Sequence, residues 1–266
     1  MSDVNIIRPK PTLDYTIQLL KNLEIPITSV IQVGIDQNDL YFRDNFSDLR
    51  HLLIDVDNTK ETLVKENYEG LNYEFINVAL GSANEEKYLT TKIINGSDNY
   101  TVLAVTDSQE ELNESIISSV PCQIKRFDTL ELSSPLESNF LLKINTDGGE
   151  NEIFDGFGEF SSFPAVVVIE AVSMYMGYRL TRFESAGYTV VGIGDLCYYG
   201  PLLQQCAVTL LRNDIIEMLR DQGSLPNWIN FENDKWFDLN EFYKNATNQI
   251  RDNINQSQNI LNYLES

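Results

Sequence analysis

The sequence predicts an α/β domain built on a mostly parallel central sheet with helices on both faces. Three observations point there. Short apolar runs recur as "SVIQVG" (29–34), "HLLIDVD" (51–57), "YEFINVALG" (73–81), "FLLKIN" (140–145) and "AVVVIEA" (165–171). They are continuous rather than alternating, as strands buried on both sides are. Helix-like stretches separate them, giving strand, helix, strand, helix, strand within about 50 residues, a βαβ rhythm.

In order along the chain, "TLDYTIQLLKNLE" (12–24) places Leu13, Ile17 and Leu20 on one helical face, and Pro26 ends that helix. The first strand is 29–34, followed by a helix-like stretch through Leu49. The second is 51–57, after which Asn58 and Glu61 form a capping-box pattern. The third strand is 73–81. Thr- and Tyr-rich residues 85–106 alternate and read as an inserted hairpin. Ser108 and Glu111 read as caps of a short helix, and "CQIKRFDTLEL" (122–132) as an extended piece leading to a turn. Strand 140–145, short helix 149–157, strand 165–171 and helix 178–187 resume the rhythm, with Gly187 ending the last helix. "YTVVGIG" (188–194) and "QCAVTLLR" (205–212) lack a helix between them and predict an antiparallel hairpin at the sheet edge. This organises the chain as an N-terminal helix (1–27), a main domain (28–213) and a helical C-terminal extension (214–266). The extension carries Trp228, Trp236 and an apolar stripe from Phe242 to Leu264, a face suited to a homodimer contact.

A net charge of −21 argues against nucleic acid and anionic membrane as partners, since both are bound through Lys and Arg. No stretch is long and apolar enough to span a bilayer, and the first residues lack a basic segment followed by an apolar core; a cytoplasmic location is expected. Cys122, Cys197 and Cys206 show no metal-ligand or disulfide spacing, and no metal site is expected. His51, the single histidine, precedes the second strand at the end away from any crevice and reads as structural.

In an open parallel sheet the ligand lies beyond the carboxyl ends of the strands. Here those ends carry Gln32, Gly34 and Asp36, then Asp55 and Asp57, then Asn77 and Ala79, then Asn145 and Asp147, then Glu170. Each alone suits a cap or a turn; together they form a rim of hydrogen-bond acceptors. "GIDQND" has one glycine and two carboxylates, which suits a pyrophosphate poorly. S-adenosylmethionine has no phosphate and a cationic sulfonium, and its ribose diol suits a carboxylate at the end of the second strand.

Four segments in order, "SVIQVGIDQNDLYFRDNFSDLRHLLIDVD", "YEFINVALGS", "RFDTLEL" and "FLLKINTDGGENEIFDGF", resemble the FkbM family of S-adenosylmethionine-dependent methyltransferases, over about residues 28–213. The resemblance implies the class I methyltransferase (Rossmann-like) sheet of seven strands, the last antiparallel. It implies cofactor contacts from Gly34, Asp55, Asn77, Ala79 and Asn145, to which the strand-end rim adds Gln32, Asp36 and Asp57. Asp147 is then the first candidate base, and Glu150, equally suited to capping the helix that follows, the second. The implied reaction is methyl transfer to a hydroxyl of a sugar or secondary metabolite. Separately, the late loop "DLCYYGPLLQQ" (195–205) offers Tyr198 and Tyr199 either as an acceptor wall or as ordinary loop packing. The chain departs from the family pattern where Gln32 and Asn145 stand in place of aspartates, where Val56 replaces a proline, and where a second glycine is missing from "DQND". These departures keep open a non-catalytic methyltransferase-like protein that binds a small molecule or a partner. The D-x-D of "LLIDVDN" keeps open a metal-dependent nucleotide-sugar glycosyltransferase.

Overall fold

The computed structural model of the chain describes residues 12–36, 40–93, 101–146, 148–172, 176–199 and 202–224. The chain divides into two units, Met1–Met218 and Leu219–Ser266. Of the second unit only residues 219–224 are described; Trp228, Trp236 and the stripe from Phe242 to Leu264 lie outside the described residues, as does the homodimer contact expected of them.

Helix α1 (Leu13–Asn22) buries Leu13, Ile17 and Leu20, the three residues that helical spacing aligns. The order continues as β1 (Ser29–Val33), α2 (Tyr41–Asn45), β2 (Arg50–Asp55), α3 (Lys60–Asn67), β3 (Tyr73–Asn77), β4 (Ala79–Leu80), β5 (Glu85–Ile93), β6 (Thr101–Thr106) and β7 (Ile116–Lys125). Then come β8 (Leu141–Ile144), α4 (Glu150–Gly156), β9 (Val166–Val172), α5 (Met176–Ser185), β10 (Tyr188–Tyr199), β11 (Leu202–Arg212) and α6 (Asn213–Asp221).

Seven strands form one mixed sheet in the order β10-β11-β9-β8-β1-β2-β3. The four pairings from β9 to β3 are parallel, and β11 runs antiparallel to both β9 and β10. Seven strands with a reversed last strand is the arrangement the sequence resemblance implies. Both faces are covered. Leu52 and Ile54 join the core with Phe154 and Phe183 of α4 and α5, while Leu53 between them packs on Val64 of α3 and on Tyr68. That alternation explains why apolar residues stand at consecutive positions in these strands rather than at every second one. Phe154 and Phe183 are fully buried with ring centroids 4.5 Å apart; removing either ring would cost about 3–5 kcal/mol.

Three elements differ from the sequence reading. Residues 73–81 are not one strand: Val78 turns the chain, its N–H donating to Asp55 O, so β3 ends the large sheet and β4 enters a second one. That second sheet, β4-β7-β5-β6, contains the expected hairpin (β5 with β6) and adds β7. Residues 108–116 do not form the expected helix. Asn113 Oδ1 accepts the N–H groups of Ser115 and Ile116, closing a tight turn in place of a helical one. The capping box of Asn58 and Glu61 is likewise replaced. Asp57 Oδ1 accepts from Thr59 N–H and its hydroxyl, and Glu61 pairs with Lys65 one turn on.

Candidate functional site

The chain runs from β1 outward to β3 and later returns to β8 on the other side of β1, so the topological switch lies between β1 and β8. There the backbones touch. Asn145 N–H donates to Val33 O at 2.8 Å, and Gly34 N–H to Ile54 O at 2.9 Å. Gly34 has φ +79°, and a Cβ placed on it would stand 1.8 Å from Asn145 O. Only glycine fits this crossing.

Asp55 organises the neighbouring strand end. Its Oδ2 accepts the Ile35 N–H at 2.8 Å, from 20 residues earlier in the chain, and its Oδ1 accepts the Asp57 N–H at 2.8 Å. It is buried, and burial raises its pKa against the opposing pull of these two N–H groups. Asn77 Nδ2 donates to the carbonyls of Asp55 and Val56, binding the end of β3 to the same knot. Gly34, Asp55, Asp57 and Asn77 are thus gathered at one place, with exposed Asp36 on the segment after Gly34.

The other expected site residues are placed differently. Gln32 is buried within β1, where its Nε2 donates to the Tyr68 hydroxyl at 2.7 Å. Ala79 is buried in the smaller sheet, paired with Ile124. Asn145 is half-buried beside Gly34, and Asp147 lies outside the described residues. Glu150, the first residue of α4, is fully buried. It accepts the Gly148 N–H at 3.0 Å and pairs with Arg179 of α5 at 3.3 Å. Glu150 and Arg179 line a cleft of about 260 Å³ with Gly148, Asn151, Glu152 and Tyr178. Two buried polar atoms near it lack a hydrogen-bond partner, Thr146 Oγ1 and Asn151 Oδ1. Tyr198 is exposed on β10, within a hairpin longer than the expected 188–194 and 205–212. His51 is buried in β2, its Nε2 2.9 Å from Phe46 O, and burial lowers its pKa.

Sequence reasoning missed Arg179 and Lys143. Lys143 is a buried lysine in the apolar run "FLLKIN", and a lone charge in such a run is the signal that marks it. Arg179 carried no signal of its own, because its partner is 29 residues away.

No family model matches the chain, and no curated protein matches it. Among solved structures, an rRNA methylase from Streptococcus thermophilus aligns over 77% of this chain and 98% of its own, at 10% identity and a TM-score of 0.42. An S-adenosylmethionine-dependent methyltransferase from Clostridium acetobutylicum aligns over 75% and 89%, at 6% identity and a TM-score of 0.41. A ribosomal protein L11 methylase from Lactobacillus delbrueckii subsp. bulgaricus aligns over 73% and 76%, at 9% and 0.39.

Proposed function

We propose that the chain is an S-adenosylmethionine-dependent methyltransferase of the FkbM kind, acting on a hydroxyl of a sugar or secondary metabolite. The observation that carries this is Asp55: a buried carboxylate at the carboxyl end of β2, hydrogen-bonded to the segment after β1 and next to the β1/β8 switch point. A carboxylate there suits a ribose diol. The residues present fit the cofactor. Each Asp55 oxygen keeps a lone pair after accepting one N–H. Thr146 Oγ1 is an orphaned buried hydroxyl two residues beyond β8. The bound cofactor would supply an electrophilic methyl group.

The chain's own part is to hold and to align, which provides much of the rate in such a transfer. Asp55 orients the ribose, Gly34 and Asn145 form the floor, and Asp147 takes the acceptor's proton. Glu150 suits the base role less well, because its carboxylate is engaged by Arg179 and by Gly148 N–H. It fits better as the group that fixes Arg179 in the cleft wall.

A second reading is a methyltransferase-like protein that binds without catalysing. It is favoured by how far the rim is used by the protein itself: Asp55, Asn77, Gln32 and Glu150 all serve internal hydrogen bonds or ion pairs. The glycosyltransferase reading gains no such support, since Asp57 Oδ1 is committed to the turn with Thr59. Calorimetry with S-adenosylmethionine, followed by transfer of a radiolabelled methyl group to a panel of hydroxylated sugars and polyketides, tests these readings. Binding with transfer supports the enzyme, binding without transfer supports the second reading, and absence of binding defeats the methyltransferase reading.

A further inference from the structure

The two sheets end in the edge strands β10, β3, β4 and β6, and the first three are poorly suited to take a further strand. β10 is broken by shifts in register and packs on α1 where Gly192 meets Thr16. β3 carries a charged residue, Glu74, which is tied to Arg50 and to Ser133. β4 is two residues long. Bulges, charges and shortness keep sheet edges from pairing with other chains. β6 has none of them: its six residues, "TVLAVT", include no charge and no proline. Its register with β5 runs unbroken from Tyr88–Thr106 to Ile93–Thr101. Among the described residues no strand pairs with its outer side, so half of its N–H and C=O groups point away from the sheet.

The two faces of this sheet differ. On one, the hydroxyls of Thr106, Thr90 and Ser119 join across three strands, 3.0 Å apart at each step. Glu110 N–H donates to Ser119 Oγ at 3.0 Å, so the segment after β6 lies over that face. On the other face Val105, Leu89 and Val120 stand opposite one another on β6, β5 and β7. Val105 is 45% exposed and Val120 49%, with Leu89 half-buried between them. Ile117, left without a cross-strand partner by the register shift between Thr91 and Lys92, is exposed as well.

The charge beside this edge has one sign. Residues 105–120 carry Asp107, Glu110, Glu111 and Glu114 and no lysine or arginine. Lys87 takes up Asp107 at 2.9 Å, and Lys92 takes up Glu110 at 2.7 Å. Glu111 and Glu114 are exposed and enter no ion pair among the described residues. A second copy of a chain with net charge −21 would bring like charges together here, whereas a basic segment is attracted.

We propose that the β6 edge of the smaller sheet is a docking site for an extended basic segment of another protein, which adds to β6 as a fifth strand. Main-chain hydrogen bonds to β6 supply affinity, and the alternation of side chains supplies selectivity. Apolar residues of the segment continue the row of Val105, Leu89 and Val120, while its basic residues point to the other face, over which the acidic segment after β6 lies. Docking here needs no S-adenosylmethionine.

The test uses the full chain and a short fluorescein-labelled peptide of alternating lysine and valine, with a glutamate–valine peptide as control. The basic peptide should bind and the acidic one should not. Hydrogen exchange should show protection rising by about tenfold or more at alternate amides of β6, while β3 and β10 are unchanged. Val105→Ser with Val120→Ser, both exposed, should keep the fold by circular dichroism and weaken binding by about tenfold. Glu111→Gln with Glu114→Gln should weaken it by roughly threefold to tenfold at low salt, a difference that closes near 0.5 M salt, as exposed charges are screened there to within about 4 Å. No binding, equal binding of the two peptides, protection elsewhere than β6, or affinity unchanged in both pairs of variants would overturn the proposal. A dimer in sedimentation that Val105→Ser with Val120→Ser dissolves would also overturn it, by showing that a second copy fills the edge.

Discussion

Gly34→Ala tests the β1/β8 crossing directly. An alanine Cβ would stand 1.8 Å from Asn145 O, where ordinary contact begins at 3.4 Å, so the strand ends must part by about 1.6 Å. The Asn145 N–H to Val33 O bond, 2.8 Å long, cannot survive that separation. Losing it beside buried backbone costs about 1–3 kcal/mol. Holding alanine at φ +79° adds roughly 1 kcal/mol. The expected loss is about 2–4 kcal/mol. Gly70→Ala is the control: its φ is +81°, and a Cβ there meets nothing within 4 Å, so it should cost the conformational part alone. Urea unfolding followed by far-UV circular dichroism measures both. Gly34→Ala should be the more destabilised by about 1–3 kcal/mol. Equal midpoints would refute the close approach, and with it the claim that the floor of the site is set by glycine at this crossing.

Two further outcomes follow from the buried charged and titratable groups. His51 is the single histidine, and burial lowers its pKa below 6.5, so the unfolded chain takes up the proton first. Its stabilising contribution is present above pH 6.5 and is lost as pH falls from 6.5 toward the folded pKa. The slope there reaches about 1.4 kcal/mol per pH unit. Urea midpoints of the unaltered chain and His51→Gln should therefore diverge in slope just below pH 6.5, and parallel profiles would contradict this. Glu150→Gln should cost about 3 kcal/mol by stranding Arg179, and Glu150→Gln with Arg179→Met should cost less than the two single changes added. A neutral Glu150→Gln in urea unfolding would show that the ion pair does not hold the cleft wall.

The large sheet was legible because its strands are apolar at consecutive positions, as in Leu52, Leu53 and Ile54, and because α1 repeats Leu13, Ile17 and Leu20 at helical spacing. The smaller sheet was only half legible. The β5–β6 hairpin is local, whereas β4 meets β7 across some 45 residues with Ala79 against Ile124, a pairing that no local pattern encodes. The helix expected near 108–116 failed because Asn113 offers its side chain to two following N–H groups, a competition that helix-cap spacing does not reveal. At the site, Gly34 and Asp55 were readable as a glycine and a carboxylate at strand ends. That Gln32 turns to Tyr68 and Glu150 to Arg179 was not, since each partner is set by tertiary packing.

The central claim is that Asp55 holds the ribose of a phosphate-free, cationic nucleoside. Titration calorimetry of the unaltered chain and Asp55→Asn with S-adenosylmethionine tests it most directly. Loss of charged hydrogen bonds to the two ribose hydroxyls should weaken binding by roughly 10–100-fold, with the β2 fold retained by circular dichroism. Equal affinities for the two proteins, or no heat of binding to the unaltered chain, would contradict it.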